Sequence, residues 1–250
     1  MEYLTCAQLN SQHCKAAMAY LSLFLATSNM DILFNQEPYC YNGVPAFTPS
    51  NYTPFYVNSN INTRACIYIK NDIAHNFLLM HNFSTPDNTI LISSSNPPIY
   101  LASSYLPPHN TLEQDLAPIE NVLTTIRPTQ LIWGLDSNCH HILRYSPTMD
   151  IRGRKFVDFA IQHGLIINNE KDGPTFSGPL ENSWIDLTIT SLNLSHRLKH
   201  WSVSTEDTQS DHNLIVFKIF LANAAKGTIR HQIQSTRKYA IRAGKWDIFK

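Results

Sequence analysis

The sequence contains few charged residues and lacks the cysteine spacing of disulfide-linked or zinc-binding domains. Only 15% of its 250 residues are Asp, Glu, Lys or Arg, whereas 43% are hydrophobic. A chain this apolar can bury a sizeable core, so long disorder is not expected. Its five cysteines include no Cys-x-x-Cys pair, and an odd, scattered set argues against a disulfide framework or a zinc ribbon. Free thiols in a reducing compartment are the simplest interpretation.

Long apolar runs are also missing. No stretch approaches the roughly 20 apolar residues that a membrane-spanning helix needs. The segment Met1–Asn10 has no basic region followed by a long apolar run, so no signal peptide is expected. The sequence therefore predicts no membrane partner.

The few charges are distributed unevenly along the chain. Residues 1–221 hold 12 Lys and Arg against 18 Asp and Glu, a net charge of −6. Residues 222–250 hold 7 basic residues and a single acid, a net charge of +6. An acidic body would need a local positive patch or a metal ion before it could approach a polyanion. The change in composition predicts a globular domain over 1–221 and a basic linker over 222–250.

Short β-prone runs alternate with a few helical stretches. The predicted helices are roughly 13–27, 111–126 and 153–163, where Thr111 and Gln114 form a capping-box pattern and Pro118 is expected to kink or shorten the second helix. Because strands outnumber helices and helices fall between strands, the α/β class with a two-sheet core flanked by helices is favoured over a single doubly wound sheet. The predicted strands are Tyr3–Leu9, Asp31–Gln36, Ala65–Lys70, Thr89–Ser93, Ile99–Ser104, Gln130–Leu135, Trp184–Thr190 and Asn213–Ile219.

Polar and acidic side chains cluster where the predicted strands begin or end. Glu37 follows one strand, and Asp136-Ser137-Asn138 follows another. Strand ends are where such folds usually place their sites. The remaining members of the cluster are Asn10 and Tyr105, each directly after a strand, Asp186 inside Ser183-Trp184-Ile185-Asp186-Leu187-Thr188, and Asp211-His212 just before the last strand.

This set supplies what phosphodiester cleavage needs. Mg²⁺ prefers carboxylate oxygens, which Glu37 and Asp211 can supply, and such an ion neutralises the phosphate and stabilises the leaving oxygen. Asp136 would position and deprotonate water, and the amide of Asn138 would hold phosphate or orient the base. His212 would meet the phosphate as a donor, oriented by a second carboxylate such as Asp186. Mg²⁺, with Mn²⁺ as the alternative, is the expected cofactor.

In this order, the blocks resemble the exonuclease–endonuclease–phosphatase superfamily of metal-dependent phosphodiesterases. They are most similar to the apurinic-endonuclease-like domain that begins the second open reading frame of non-LTR retrotransposons, in its site-specific group. The matched blocks run from Asn10 to Ile219, and the Trp184-Ile185-Asp186 block together with Ser210-Asp211-His212 is the most specific pair. The resemblance implies a four-layer, DNase I-like α/β sandwich.

The resemblance also implies a role for each matched residue. Departures from the family pattern are an extra Leu135 between Gly134 and the Asp-x-Asn motif, and the lack of recognisable DNA-inserting loops of the repair enzymes, so abasic-site specificity is not expected. Asn10 and Glu37 would form the metal side, completed by Asp211; Tyr105 would contact the scissile phosphate; Asp136 and Asn138 would handle the water and the transition state; Asp186 would pair with His212.

Other residues are candidate DNA contacts. Thr175 and Ser177 lie in a family-like block that could contact phosphate, or could form an ordinary turn. For the basic groups, a solvated loop or helix face is an equal alternative. The basic candidates for phosphate contact are Arg144, Arg152, Arg154 and Lys155 in one group and Arg197 with Lys199 in the other.

The resemblance implies an enzyme that nicks one strand of double-stranded DNA and leaves a 3′-hydroxyl. A reverse transcriptase domain of the same polypeptide would extend that end on element RNA, in the nucleus, and the tail through Trp246–Phe249 resembles the linker toward it. Two alternatives stay open: a phosphoinositide phosphatase or sphingomyelinase of the same superfamily, and a catalytically inactive DNA-docking module. A telomeric repeat is the working hypothesis for the target.

Overall fold

The computed structural model describes residues 3–59, 63–95, 98–141 and 145–221. The predicted basic linker therefore lies outside the described residues, as does Arg144. The helices are α1 (Lys15–Thr27), α2 (Asn71–Ala74), α3 (Leu112–Thr125), α4 (Ile151–Gln162) and α5 (Leu192–Ser195), with a 3-10 turn at His81–Phe83. No helix within these ranges is long and apolar enough to cross a bilayer.

The strands are β1 (Tyr3–Asn10), β2 (Ile32–Gln36), β3 (Cys40–Tyr41), β4 (Val44–Pro45), β5 (Tyr52–Phe55), β6 (Ala65–Lys70), β7 (Phe77–Leu79), β8 (Thr89–Ser94), β9 (Tyr100–Tyr105), β10 (Leu131–Asp136), β11 (Leu165–Ile167), β12 (Phe176–Ser177), β13 (Asn182–Ser183), β14 (Asp186–Ser191), β15 (Leu198–Val203) and β16 (Ile215–Phe220).

Most strands belong to two six-stranded sheets. The first has the order β15-β16-β1-β2-β6-β5 and the second β11-β14-β10-β9-β8-β7. In each sheet one central pair is parallel, β1 with β2 and β9 with β10, and the other pairs are antiparallel. Two short hairpins, β3-β4 and β12-β13, stand apart from the sheets.

Three apolar clusters give the molecule four layers. The middle cluster includes Ile32 and Phe34 of the first sheet with Ile90 and Ile132 of the second, so the two sheets pack face to face. The outer face of the first sheet is covered by α1, and the outer face of the second by α3 and α4. The order helix, sheet, sheet, helix confirms the predicted DNase I-like sandwich.

The helices begin and end largely where local chemistry predicts. The Thr111 hydroxyl accepts from Gln114 N at 3.4 Å, and Asp150 caps α4 by accepting from the backbone of Gly153. Gly164, with φ +63°, follows α4 in the left-handed conformation that favours glycine. Pro118 does not shorten α3 as expected, because Leu116, Ile119 and Val122 bury its inner face on either side of the proline.

A layer of buried polar side chains joins the two sheets beneath their site end. Gln36 Nε2 donates to Ser103 Oγ at 2.9 Å and to Gly134 O at 3.3 Å. Gln8 Nε2 donates to Leu135 O at 3.2 Å, and Thr188 donates to Gln8 Oε1 at 3.2 Å. Since buried polar groups are costly unless paired, these bonds fix how the sheets lie on each other.

Candidate active site

The strand topology brings the predicted site residues to one edge of the sandwich. The parallel strands β1, β2, β9 and β10 end there, at Asn10, Gln36, Tyr105 and Asp136. The antiparallel strands β14 and β16 begin there, so Asp186 pairs across from Asp136 and His212 comes just before β16. The edge thus collects side chains from six strands, as expected from the sequence.

Asp136, Asp186 and His212 form the buried centre of this edge. His212 Nδ1 donates to Asp186 Oδ2 at 2.8 Å, and His212 Nε2 lies 4.0 Å from Asp136 Oδ2. All three side chains are almost fully buried. The predicted pairing of Asp186 with His212 is therefore present in the structure.

Burial and mutual charge set the protonation of this centre. Burial and the negative charge of Asp186 raise the pKa of Asp136 to about 7, although His212 opposes the rise. Burial alone would lower the pKa of His212, but the charge and the hydrogen bond of Asp186 outweigh it and raise that pKa to about 9. At neutral pH the centre therefore holds an imidazolium between the carboxyl groups of Asp186 and Asp136.

Asn138 completes the Asp136 motif. Its backbone N–H donates to Asp136 Oδ1 at 3.0 Å, which closes an Asx-turn, and its side-chain amide donates to Asp136 Oδ2 at 3.2 Å. With φ 44°, Asn138 adopts the left-handed backbone that asparagine tolerates better than most residues. The turn and the catalytic role are compatible, because the turn aims the amide at the carboxylate.

Glu37 lies beside the centre and is held by side chains that no motif predicts. Arg64 Nη1 donates to Glu37 Oε1 at 2.5 Å, and His13 Nε2 lies 3.3 Å from the same oxygen. Burial would raise the pKa of Glu37, but the hydrogen bond and charge of His13 and the charge of Arg64 outweigh it, so the pKa is lowered. The carboxylate is therefore ionised in the folded protein.

Asn10 and Tyr105 connect Glu37 to Asp136. Asn10 Nδ2 donates to Asp136 Oδ2 at 2.8 Å and to Glu37 Oε2 at 3.4 Å. Tyr105 is buried, and burial and the charge of Glu37 raise the pKa of its hydroxyl. The Arg64 guanidinium carbon lies 5.2 Å from the Tyr105 ring centroid. Tyr105 is thus a neutral hydrogen-bond donor facing the acidic side chains.

Asp211 is placed next to the centre by Gln12. Gln12 Oε1 accepts from Asp211 N at 2.9 Å, and Gln12 Nε2 donates to Asp211 Oδ2 at 3.3 Å. Ser210 donates to the Asn10 carbonyl at 2.8 Å and so ties this turn to β1. Gln12 was not predicted as a site residue; its position two residues after Asn10 was the only signal in the sequence.

These residues surround an open cavity of about 330 Å³. Glu37, Tyr105, Asp136, Asn138 and His212 all line it. Phe176 forms another wall, with its ring edge-on to His212 at a centroid distance of 4.9 Å. The cavity admits a phosphate with its neighbouring sugar atoms, and the aromatic wall limits rotation of the imidazole.

The donor set fits a hard divalent cation. Glu37 Oε2 and Asp136 Oδ2 converge on the same Asn10 nitrogen, where a cation could neutralise both. Among the described residues, Asp136, Asp186 and His212 each offer a ligand atom within 4.8 Å of the others, and Asp186 Oδ1 is buried without a hydrogen-bond partner. The group of candidate ligand atoms is therefore centred on Asp136, whereas the sequence predicted Glu37, Asp211 and Asn10 as the metal ligands.

The structure places the predicted DNA contacts in different surroundings. Arg152 pairs with buried Asp115 at 2.5 Å and Lys155 pairs with Glu113 at 2.7 Å, so both tie α4 to α3. Arg197 and Lys199 stand at the start of β15, beside the far end of β16, so they are not brought to the site.

Three further candidates complete this set. Thr175 is fully buried and its hydroxyl accepts from Asp186 N at 3.0 Å, so it supports the site from within. Ser177 is exposed, lies beside Asp211 and accepts from Asn213 at 2.9 Å. Arg154 is exposed on α4. Ser177 is therefore the member of this set that is both close to the site and open to a ligand.

Comparisons with known proteins find similarity to retrotransposon endonucleases. A family model described as "Endonuclease-reverse transcriptase" matches residues 99–216. The retrovirus-related Pol polyprotein from type-1 retrotransposable element R1 of Bradysia coprophila is 31% identical over 141 residues, or 53% of this chain. The match covers only 14% of that polyprotein's length.

Solved structures share the architecture. The endonuclease domain of TRAS1, a telomere-specific non-LTR retrotransposon, matches 88% of this chain and 99% of its own with a TM-score of 0.77 and 28% identity. An AP endonuclease, LMAP from Leishmania major, matches 88% of each chain with a TM-score of 0.64. Its 12% identity shows a common fold and nothing finer.

Proposed function

We propose that the chain is an endonuclease domain of the non-LTR retrotransposon type, within the exonuclease–endonuclease–phosphatase superfamily, and that it is a Mg²⁺-dependent enzyme that nicks one strand of duplex DNA. The matches to the endonuclease-reverse transcriptase family model, to the R1 polyprotein and to the TRAS1 domain support this proposal. The observation that supports this most directly is the buried centre of Asp136, Asp186 and His212, of which Asp136 and His212 line an open cavity. A phosphodiester that entered the cavity would meet a general base (Asp136), a hydrogen-bond donor (His212) and a metal-binding carboxylate (Glu37) at the same place.

Each residue then has a chemical task. Asp136 accepts a proton from the attacking water while Asn138 orients its carboxylate. His212, held as imidazolium by Asp186, donates from Nε2 to a phosphate oxygen as negative charge develops there. Tyr105 donates its hydroxyl to the phosphate. Glu37 and Asp136 would hold a divalent metal ion, which when bound would neutralise negative charge on the phosphate and on the leaving oxygen.

In the longer polypeptide, the nick would serve as a primer. A 3′-hydroxyl end lets a reverse transcriptase domain of the same chain copy element RNA into the target, which requires that the protein act in the nucleus. A telomeric repeat is the proposed target, since the TRAS1 domain, with the higher TM-score of the two neighbours described, comes from a telomere-specific element.

The first experiment is nicking of supercoiled plasmid by the parent protein and by His212→Ala, with Mg²⁺ and with EDTA. Open circles are expected only for the parent protein with Mg²⁺, and DNA ligase should reseal them because the ends are 3′-hydroxyl and 5′-phosphate. His75→Ala is a matched control, since His75 is exposed at the end of the domain opposite the cavity.

The other outcomes separate the remaining candidates. If plasmid, telomeric-repeat and ribosomal-gene duplexes all stay intact but still bind, the protein is a docking module. Hydrolysis of phosphoinositide or sphingomyelin vesicles without DNA binding would assign it to the lipid-acting branch of the superfamily.

A further inference from the structure

An aromatic segment without charge leaves the active site directly after Glu37. From Pro38 to Thr63 the sequence contains no Asp, Glu, Lys, Arg or His, although the body carries a net charge of −6. Its described part includes the hairpin β3-β4, which begins three residues after Glu37. This side of the site therefore offers a neutral surface on an otherwise acidic domain.

The hairpin has a fixed shape. Its two turn residues, Asn42 and Gly43, have φ of 51° and 77°, as in the type I′ turn of two-residue hairpins. A Cβ on Gly43 would lie only 2.6 Å from the backbone oxygen of Ser59, so the turn packs closely against the following loop. The backbone of Ala46 also donates to the Tyr39 carbonyl at 2.9 Å. The side chains at the tip are thus presented in a defined orientation.

That tip exposes apolar side chains. Tyr41 is 69% exposed, and Val44, its partner across the hairpin, is 42% exposed. Phe47 is 40% exposed, and Lys15 Nζ lies 5.9 Å from the centre of its ring. Exposed apolar groups that cluster on a rigid element usually mark an interaction surface. Lys15 gives this surface a positive charge.

Of the two hairpins, β12-β13 contributes Phe176 and Ser183 to the cavity wall, whereas β3-β4 begins three residues after the lining residue Glu37. β3-β4 follows β2, on one side of the central strand β1. β12 instead bridges to His212, which precedes β16 on the other side of β1. A duplex that presents a backbone phosphate to the cavity is much wider than the cavity itself, so it must lie over the flanking surfaces.

We propose that the β3-β4 hairpin is a docking surface for duplex DNA beside the scissile phosphate, with Tyr41 against sugar and base edges of the minor groove and Lys15 near the phosphates. This proposal rests on the proposed function. Aromatic and apolar side chains bind in the minor groove by wedging or stacking, and a segment without acidic side chains does not repel the backbone as the acidic body does. Tyrosine loses little conformational entropy when it binds.

The test compares Tyr41→Ala and Tyr41→Phe with Leu78→Ala, a control of equal exposure (70%) on the edge strand β7, far from the cavity. Both side chains are exposed, so all three variants should fold, which thermal melts will check. Tyr41→Ala should weaken affinity for a duplex carrying a plasmid nick site about tenfold and raise KM with little change in kcat. Tyr41→Phe and Leu78→Ala should stay near the parent.

A hydroxyl-radical footprint of the His212→Ala protein should lose protection on one side of the nick when Tyr41→Ala is added. Equal affinity and footprint for Tyr41→Ala and Leu78→Ala would overturn the proposal. If the parent binds duplex DNA without nicking it, the proposed function fails while the affinity comparison still decides the role of the hairpin. If the parent binds no duplex, both proposals are overturned.

Discussion

At the scale of single residues, Glu37 depends on partners that lie far away in the sequence. Arg64 and His13 both reach its carboxylate, and both come from segments outside the motif blocks. The sequence predicts that Glu37, Asp136 and His212 meet, because each adjoins a strand end. It does not predict Arg64 or Gln12, since a single polar residue next to a strand has no distinctive spacing and its contacts depend on which strands become neighbours.

The charge on His212 leads to a pH prediction. Asp186 raises the pKa of His212 to about 9, so the imidazolium persists well above the usual range. Asp186→Asn removes that anion, and the alkaline limb of the nicking rate should move to lower pH. Because the folded pKa exceeds the unfolded one, the same pairing stabilises the fold fully below about 6.5 and loses this effect as pH rises through about 9.

Profiles of kcat/KM against pH for the parent and Asp186→Asn provide the measurement. Asp158→Asn, a change on the exposed face of α4, is the control and should leave the limb in place. An alkaline limb common to all three proteins would show that His212 does not need its imidazolium form.

At the scale of elements, the strands that pack on both faces could be recognised and the edge strands could not. All eight predicted strands are present, with ends displaced by at most two residues, because each contributes a buried run or, in β16, a strict alternation of buried and half-buried side chains. The missed strand β15 reads Leu-Lys-His-Trp-Ser-Val and has a shifted register against β16, so it lacks both the continuous run and the alternation. The missed strands β7 and β11 are only three residues long.

The α3-α4 pair gives a prediction at this scale. Arg152 is mostly buried and pairs with Asp115, whose side chain is only 2% exposed. Arg152→Ala leaves an unpaired buried carboxylate, so the free energy of unfolding should fall by about 3 kcal/mol. Lys155→Ala breaks an exposed pair and should change stability little. Urea unfolding measures both.

The same variants distinguish a structural role from DNA contact. A residue that neutralises a phosphate contributes to the salt dependence of DNA affinity. If Arg152→Ala lowers that salt dependence without lowering stability, the original expectation of a phosphate contact holds, and the helix-pairing role does not.

At the scale of the whole molecule, the two sheets approach closely at Gly134. A Cβ there would meet Phe34 Cβ at 2.9 Å and Gln8 Oε1 at 3.0 Å, both on the opposite sheet. Gly134→Ala should therefore destabilise the protein by about 1–3 kcal/mol through overpacking. Gly134 therefore allows the two sheets to pack closely. It is separated from Asp136 by Leu135, whereas in the usual Gly-Asp-x-Asn pattern the glycine directly precedes the aspartate.

Gly173→Ala is the matched control, because a Cβ there has its nearest neighbour at 3.9 Å. Its effect should stay within about 0.5 kcal/mol. Equal urea midpoints for the two variants would mean that the sheets separate easily enough to admit a methyl group.

The pairing of the first strand with the last has a consequence for how the protein is made. Tyr3 lies opposite Phe220, so the centre of one sheet closes a loop that spans nearly the whole described chain. Contacts between residues so distant in sequence form slowly, because the chain must lose the entropy of closing a long loop before the contact stabilises the closed form. A ribosome must release the final strand before that sheet can assemble, and His212 arrives with it. A nascent chain that stops before β16 therefore has neither a closed sheet nor a complete site, and we expect it to lack any activity that depends on this site.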